Sequence, residues 1–206
     1  VLESLPAAEG TETGKEDPGE SAEPDEPSGD STDDDDAEPV PASSDGPAEN
    51  WPKPEVPEEI YEPTEEGAEA LIQYWFDARH YARITGDLEP LEYVSAEDCD
   101  VCDYGIAAIA EVYENNGWYV SEPEIILDSY VQLESETNAT GIFGMQEPMF
   151  QTYWQEELYD EKTEDNFSGF GYSAVYVDDR WQVFDFSYLG EYDEEADEPI
   201  EDSEEL

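Results

Sequence analysis

The acidic residues of this chain are so unevenly placed that they decide which part of it can fold. Val1–Glu62 carries 21 Asp and Glu against two Lys, and Glu191–Leu206 carries ten acids and no base. Both stretches are poor in apolar side chains and rich in Pro, Ser, Gly and acid, so they bury too little to offset the entropy of ordering a backbone. Folding is therefore expected in residues 61–190, between a disordered Pro-rich spacer (1–60) and a disordered tail (191–206). Charge and proline extend such a spacer, whose ends as a plain coil would lie roughly 45 Å apart. The run Asp33–Asp36 lacks the Gly and the bidentate Glu of a calcium loop.

The central part is itself anionic, with 28 acids against Arg79, Arg83, Lys162 and Arg180 in Pro63–Gly190. The net charge of the whole chain is −53. Without a basic cluster to displace counterions from phosphates, nucleic acid is excluded as a partner. No apolar run reaches the roughly 20 residues that cross a bilayer. Val1 is read as a processed start, so any contact with a membrane is expected only through a lipid anchor not present in this chain.

TEEGAEALIQYWFDARHYARITGD has a helical period. Ala68, Leu71, Ile72, Trp75, Ala78, Arg79 and Ala82 recur at i, i+3, i+4 and i+7. Thr64 is the expected N-cap and Gly86 the expected stop. A second helix is expected across SAEDCDVCDYGIAAIAEVYENNG, ending at Gly117. Beyond it the period shifts to two, and PEIILDSYVQLES, PMFQTYWQEEL, GFGYSAVYVD and RWQVFDFSYL read as strands. Asp178-Asp179 is the expected turn between the last two. The slip in alternation at Val183 and Phe184 predicts a bulge. Asn138 and Gly144 are read as turns between the first two strands. Helices first and antiparallel strands after them make an α+β fold, with the helices packed on one face of a curved sheet.

Cys99 and Cys102 in CDVC admit three readings. Zinc needs about four soft or borderline ligands; the two thiols and His80 could be joined by a carboxylate, but nothing here has a zinc spacing. A redox pair at a helix start is well placed, but Glu97, Asp98, Asp100 and Asp103 disfavour a thiolate and no βαβ pattern leads into the motif. The reading that accounts for both cysteines is a disulfide at the helix entrance, which implies an oxidising compartment outside the cytoplasm.

Glu66-Gly67-Ala68, Tyr81-Ala82, Thr85-Gly86-Asp87, Pro90-Leu91, Ser95, the two cysteines and Gly117-Trp118 occur here in an order that resembles a family of uncharacterised secreted lipoproteins of actinobacteria, over roughly residues 60–190. The resemblance implies the cone-shaped fold shared by nuclear transport factor 2, ketosteroid isomerase and SnoaL-type cyclases, and a lipobox cysteine just ahead of the spacer. It implies no activity and no catalytic residues.

Trp75, Trp118, Trp154, Asp128 and Asp185 are the candidate lining of a pocket. A cone-fold isomerase would need one such acid in a dry cavity with tyrosines opposite, for which Asp77, Asp87, Tyr130, Tyr172 and Tyr188 are further candidates. His80 is either a general base or a half-buried polar group on the first helix. No nucleotide, cofactor or metal motif is present. The expectation is an exported, lipid-anchored, non-enzymatic module at the cell surface that binds an unknown protein or a small apolar ligand. The alternatives are a cofactor-free isomerase or lyase and a cation-binding or salt-adapted surface protein.

Overall fold

Glu65 opens a stretch whose apolar side chains recur often enough to bury a helix on several sides. In the computed structural model, which describes residues 37–163 and 166–191, that stretch is helix α1 (Glu65–Thr85). Thr64 caps it by accepting a hydrogen bond from the Gly67 N–H, and Glu65 and Glu66 meet the positive end of its dipole. Gly86 closes it at φ 82°, where an added Cβ would also meet the Tyr113 ring at 2.7 Å. Ala68, Leu71, Ile72, Tyr74, Trp75, Phe76, Ala78 and Ala82 are all buried, which makes α1 the axis of the core.

Helix α2 (Glu89–Tyr93) and helix α3 (Asp100–Glu114) follow. Cys99 and Cys102 are joined as a disulfide at the entrance of α3. Cys99 is the N-cap, and its sulfur accepts from the Cys102 N–H at 3.2 Å. Both residues are buried. α3 ends at Glu114, and Asn116 takes the left-handed conformation (φ 53°) expected of a stop. Gly117 is needed for a different reason. A side chain there would run into the carbonyl of Tyr153 and into Val112.

Seven strands are present among the described residues: β1 (Trp118–Ser121), β2 (Ile125–Ser135), β3 (Asn138–Glu147), β4 (Phe150–Trp154), β5 (Glu157–Lys162), β6 (Asn166–Val177) and β7 (Arg180–Glu191). They form two antiparallel sheets, ordered β1-β4-β5 and β2-β3-β6-β7, where one curved sheet was expected. The α+β class stands, with helices packed against antiparallel sheets. Asp178 and Asp179 both have positive φ (51° and 60°), as the hairpin they were read to form requires. The bulge falls where the alternation slips, with Val183 opposite Ala174 and Asp185 opposite Ser173.

Two strand assignments are corrected. Asn138 and Gly144 lie within β3 and pair with both β2 and β6; the turn is at Glu136-Thr137. PMFQTYWQEEL is not one strand, because Gln155 and Glu156 turn the chain at positive φ (52° and 65°). This residue pair is a poor match to such a turn, but its N–H groups donate to the carbonyls of Asn115 and Asn116 at 3.1 Å each. The end of α3 holds the turn in place.

The boundary at residue 60 is also corrected. Residues 37–60 are packed against the domain rather than forming a spacer. Ala48 donates its N–H to the Ile84 carbonyl at 2.8 Å, and the Trp118 indole donates to the Ser43 carbonyl at 2.7 Å. Lys53 bridges Asp87 at 2.9 Å and Glu89 at 2.6 Å. Ile60, within a 3-10 turn (Glu58–Tyr61), is fully buried. A few anchors at Ala48, Lys53 and Ile60 suffice to dock a Pro-stiffened segment that has no periodicity of its own. The readings of residues 1–36 and 192–206, including Asp33–Asp36, fall outside the described residues.

Candidate functional site

A cavity of about 350 Å³ lies between α1, α3 and the inward side chains of β3, β6 and β7, with Tyr119 of β1 beside it. Its apolar wall comes from Trp75 and Phe76 on α1, Ile106 and Ile109 on α3, Met145 on β3, Phe170 on β6 and Phe186 on β7. The aromatics brace one another. The Trp75 ring lies 4.8 Å from Phe186 and 5.0 Å from Phe76, both edge-on. The Trp75 indole donates to Ser95 Oγ at 3.1 Å, and Ser95 in turn donates to the Leu91 carbonyl at 2.8 Å. That chain of bonds holds Trp75 in one rotamer.

The same cavity is lined by two bases, Arg79 and Arg83. They stand one turn apart on α1 and so share a face. Arg79 stacks on Phe76 (4.7 Å to the centroid) and Trp75 (5.4 Å). Glu124, in the link between β1 and β2, is buried, and its Oε1 accepts from Arg79 Nη2 and Arg83 Nη1 at 2.5 Å each. Burial acts to raise the Glu124 carboxyl, but the two guanidiniums outweigh it and hold the group below the usual carboxylate range. Arg83 is lowered from its ordinary value by burial and then by Arg79, with Glu124 opposing. Glu124 Oε2 and Arg79 Nε are buried with no hydrogen-bond partner among the described residues. Glu147 reaches the cavity from the end of β3, and its carboxylate lies 3.8 Å from the Lys162 ammonium.

A wider groove of about 560 Å³ runs outside this cavity, between Pro41, Trp51, Met149 and Phe150, with His80 in its floor. His80 is half-buried and Nε2 lies 3.0 Å from the Ser121 carbonyl, the bond of a structural polar group. Trp51 is thereby placed against the domain.

Of the five side chains expected to line a pocket, Trp75 alone lines this cavity. Trp118 stacks flat on Tyr153 at 4.7 Å. Trp154 lies over Tyr159 in a separate surface groove. Asp128 and Asp185 are exposed. Neither is a carboxylate in a dry site, and the proton-shuttle role considered for them is withdrawn. Asp77 is half-buried and raised by burial, but it accepts from Gln73 on the outer side of α1; Asp87 is paired with Lys53. Tyr172 is buried and donates to the Ala68 carbonyl, while Tyr130 and Tyr188 are exposed.

Sequence reasoning missed the Arg79–Glu124–Arg83 cluster. By spacing Arg79 falls in the apolar stripe, and a base in that stripe, one turn from another base, in a chain with six of them, is the available signal. Glu124 carries no local mark among 59 acids.

The family model described as "Family of unknown function (DUF6318)" matches residues 37–187, beginning at the first residue of the packed N-terminal segment. Among curated proteins, none matches. Among solved structures, the intermembrane space region of the chloroplast protein ARC6 is similar over 62% of this chain and 97% of its own, with 15% identity and a TM-score of 0.51. That likeness is one of fold. An uncharacterised protein with a cystatin-like fold from Caulobacter vibrioides is similar over 63% of this chain and 89% of its own (10% identity, TM-score 0.42). An NTF2-like protein from Cytophaga hutchinsonii is similar over 59% and 97% (14% identity, TM-score 0.41).

Proposed function

The chain belongs to the family of unknown function DUF6318, and from that premise we propose that it is a non-enzymatic binding module which takes a small, largely apolar ligand into the cavity between α1, α3 and the sheet. The observation that carries this reading is the aromatic wall. Trp75, Phe76, Phe170 and Phe186 come from three elements and converge on a space of about 350 Å³, within the range of small-molecule sites. The carboxylate that reaches it, Glu147, sits beside an ammonium with its side chain about one-third exposed (32%), unlike the dry site a proton shuttle needs. A further part of the proposal is that the domain is exported and anchored by lipid at the outer face of the cell membrane. The buried disulfide supports export, because such bonds persist in oxidising compartments.

The neutral fluorophore N-phenyl-1-naphthylamine tests the binding reading. Saturable enhancement with one site per chain is expected, abolished by Ile106→Trp, which fills the cavity, in a variant that still melts cooperatively. Enhancement that does not saturate, or that survives Ile106→Trp, would overturn it. Location is read separately. Protease added to intact cells of the source should remove the protein, and full protection would refute export.

A further inference from the structure

The charges in the cavity narrow the ligand class. Resting on the binding reading above, we propose that the ligand carries an anionic end group, such as a carboxylate on an aromatic or aliphatic body, and that this group is held by Arg79 and Arg83 while the body lies against Trp75, Phe76 and Phe186.

Charge count is the first support. Two of the four bases in Pro63–Gly190 line one cavity, although the chain as a whole bears −53. One carboxylate, Glu124, faces both and compensates one. Glu147 lines the cavity, whereas Lys162, 3.8 Å from it, does not. The cavity lining therefore sets two guanidiniums against one carboxylate, within a molecule whose general field is strongly negative. A buried ion pair that served only to tie the β1–β2 link to α1 would need a single arginine, since a second uncompensated charge adds desolvation cost.

Donor count is the second support. Both guanidiniums spend one N–H on the same oxygen, Glu124 Oε1. Guanidinium forks bind carboxylates through paired, charge-assisted bonds. Arg79 lies over Phe76 and Trp75, so an anion bound to it is necessarily beside the aromatic wall. A ligand with an acid at one end and an apolar body at the other satisfies both sets of groups at once.

The test pairs two probes of similar aromatic body on the full chain at about 0.15 M salt, where the general field is screened within roughly 8 Å. These are neutral N-phenyl-1-naphthylamine and anionic 1-anilinonaphthalene-8-sulfonate. Arg83→Met leaves the Arg79–Glu124 pair intact and removes one of the two guanidiniums that line the cavity. It should weaken the anionic probe roughly ten-fold or more, the scale of a charge-assisted bond, and leave the neutral probe within about two-fold. Glu124→Gln takes the shared carboxylate away from both guanidiniums and should tighten the anionic probe alone. If that variant does not fold, Arg79→Met replaces it, with the same loss expected as for Arg83→Met. An anionic probe indifferent to Arg83→Met, or two probes that weaken together, would overturn the anionic end group while the binding reading stands. Failure of both probes to bind the unmodified chain would overturn both.

Discussion

Glu124 shows how much one side chain can decide. It is buried, and its carboxylate pairs with both Arg79 and Arg83. Removing one member of a buried ion cluster leaves the others unpaired, so Glu124→Ala should destabilise the fold by about 3–5 kcal/mol in urea titrations at neutral pH. The pH dependence carries a sign. The folded group lies below its ordinary value, because the two arginines outweigh burial. Its contribution is thus present above the unfolded carboxyl value, about 4.3, and is lost as pH falls through the folded value. The stability gap between the unmodified chain and Glu124→Ala should shrink as melts move from pH 6 to below pH 4. A gap constant with pH would mean that the cluster does not favour the ionised form.

At the scale of the element, the entrance of α3 is fastened from two directions. The disulfide closes the first turn, and the segment before it pairs with β7: Val183 donates to the Val94 carbonyl at 2.8 Å, and Ala96 donates to the Val183 carbonyl at 2.9 Å. This covers an edge that β7 would otherwise expose next to its bulge. Cys102 Sγ lies 3.9 Å from that same Val183 carbonyl. Replacing both cysteines by alanine should lower stability by about 2 kcal/mol from loop entropy alone. The fold should survive, because the pairing with β7 remains. Urea midpoints with an unchanged m-value would bear this out. A change in m would mean that the bond also organises α3.

At the scale of the whole molecule, the folded unit begins well before the sequence becomes periodic. Trp181 donates its indole N–H to the Glu62 carbonyl, Tyr176 donates its hydroxyl to the Tyr61 carbonyl, and Ile60 is fully buried. A chain beginning at Pro63 should therefore be less stable than one beginning at Ala37. Ile60 alone contributes about 1.5–3 kcal/mol by burial, and the Lys53 bridges and the Trp118–Ser43 bond are lost with it. Equal melting temperatures for the two chains would contradict the docking of residues 37–62. Since the Trp118 indole donates to the Ser43 carbonyl, the shorter chain should show a more exposed Trp118 in fluorescence quenching.

The amino-acid sequence alone determined whatever is settled within a few residues. The cap at Thr64, the stop at Gly86, the Asp178-Asp179 hairpin, the bulge at Val183 and the bond between Cys99 and Cys102 are all of this kind. Each depends on local backbone preference or on chain closure over one turn. The tertiary structure decided the rest. The Gln155-Glu156 turn exists because α3 ends beside it; Asn138 and Gly144 extend because two strands flank them; and residues 37–60 dock because α1 and β1 offer them partners. The candidate site is the clearest case. Arg79 and Arg83 meet an acid more than 40 residues away, chosen from 59, and only the packing of α1 against the β1–β2 link takes that acid out of water, where its charge must be matched.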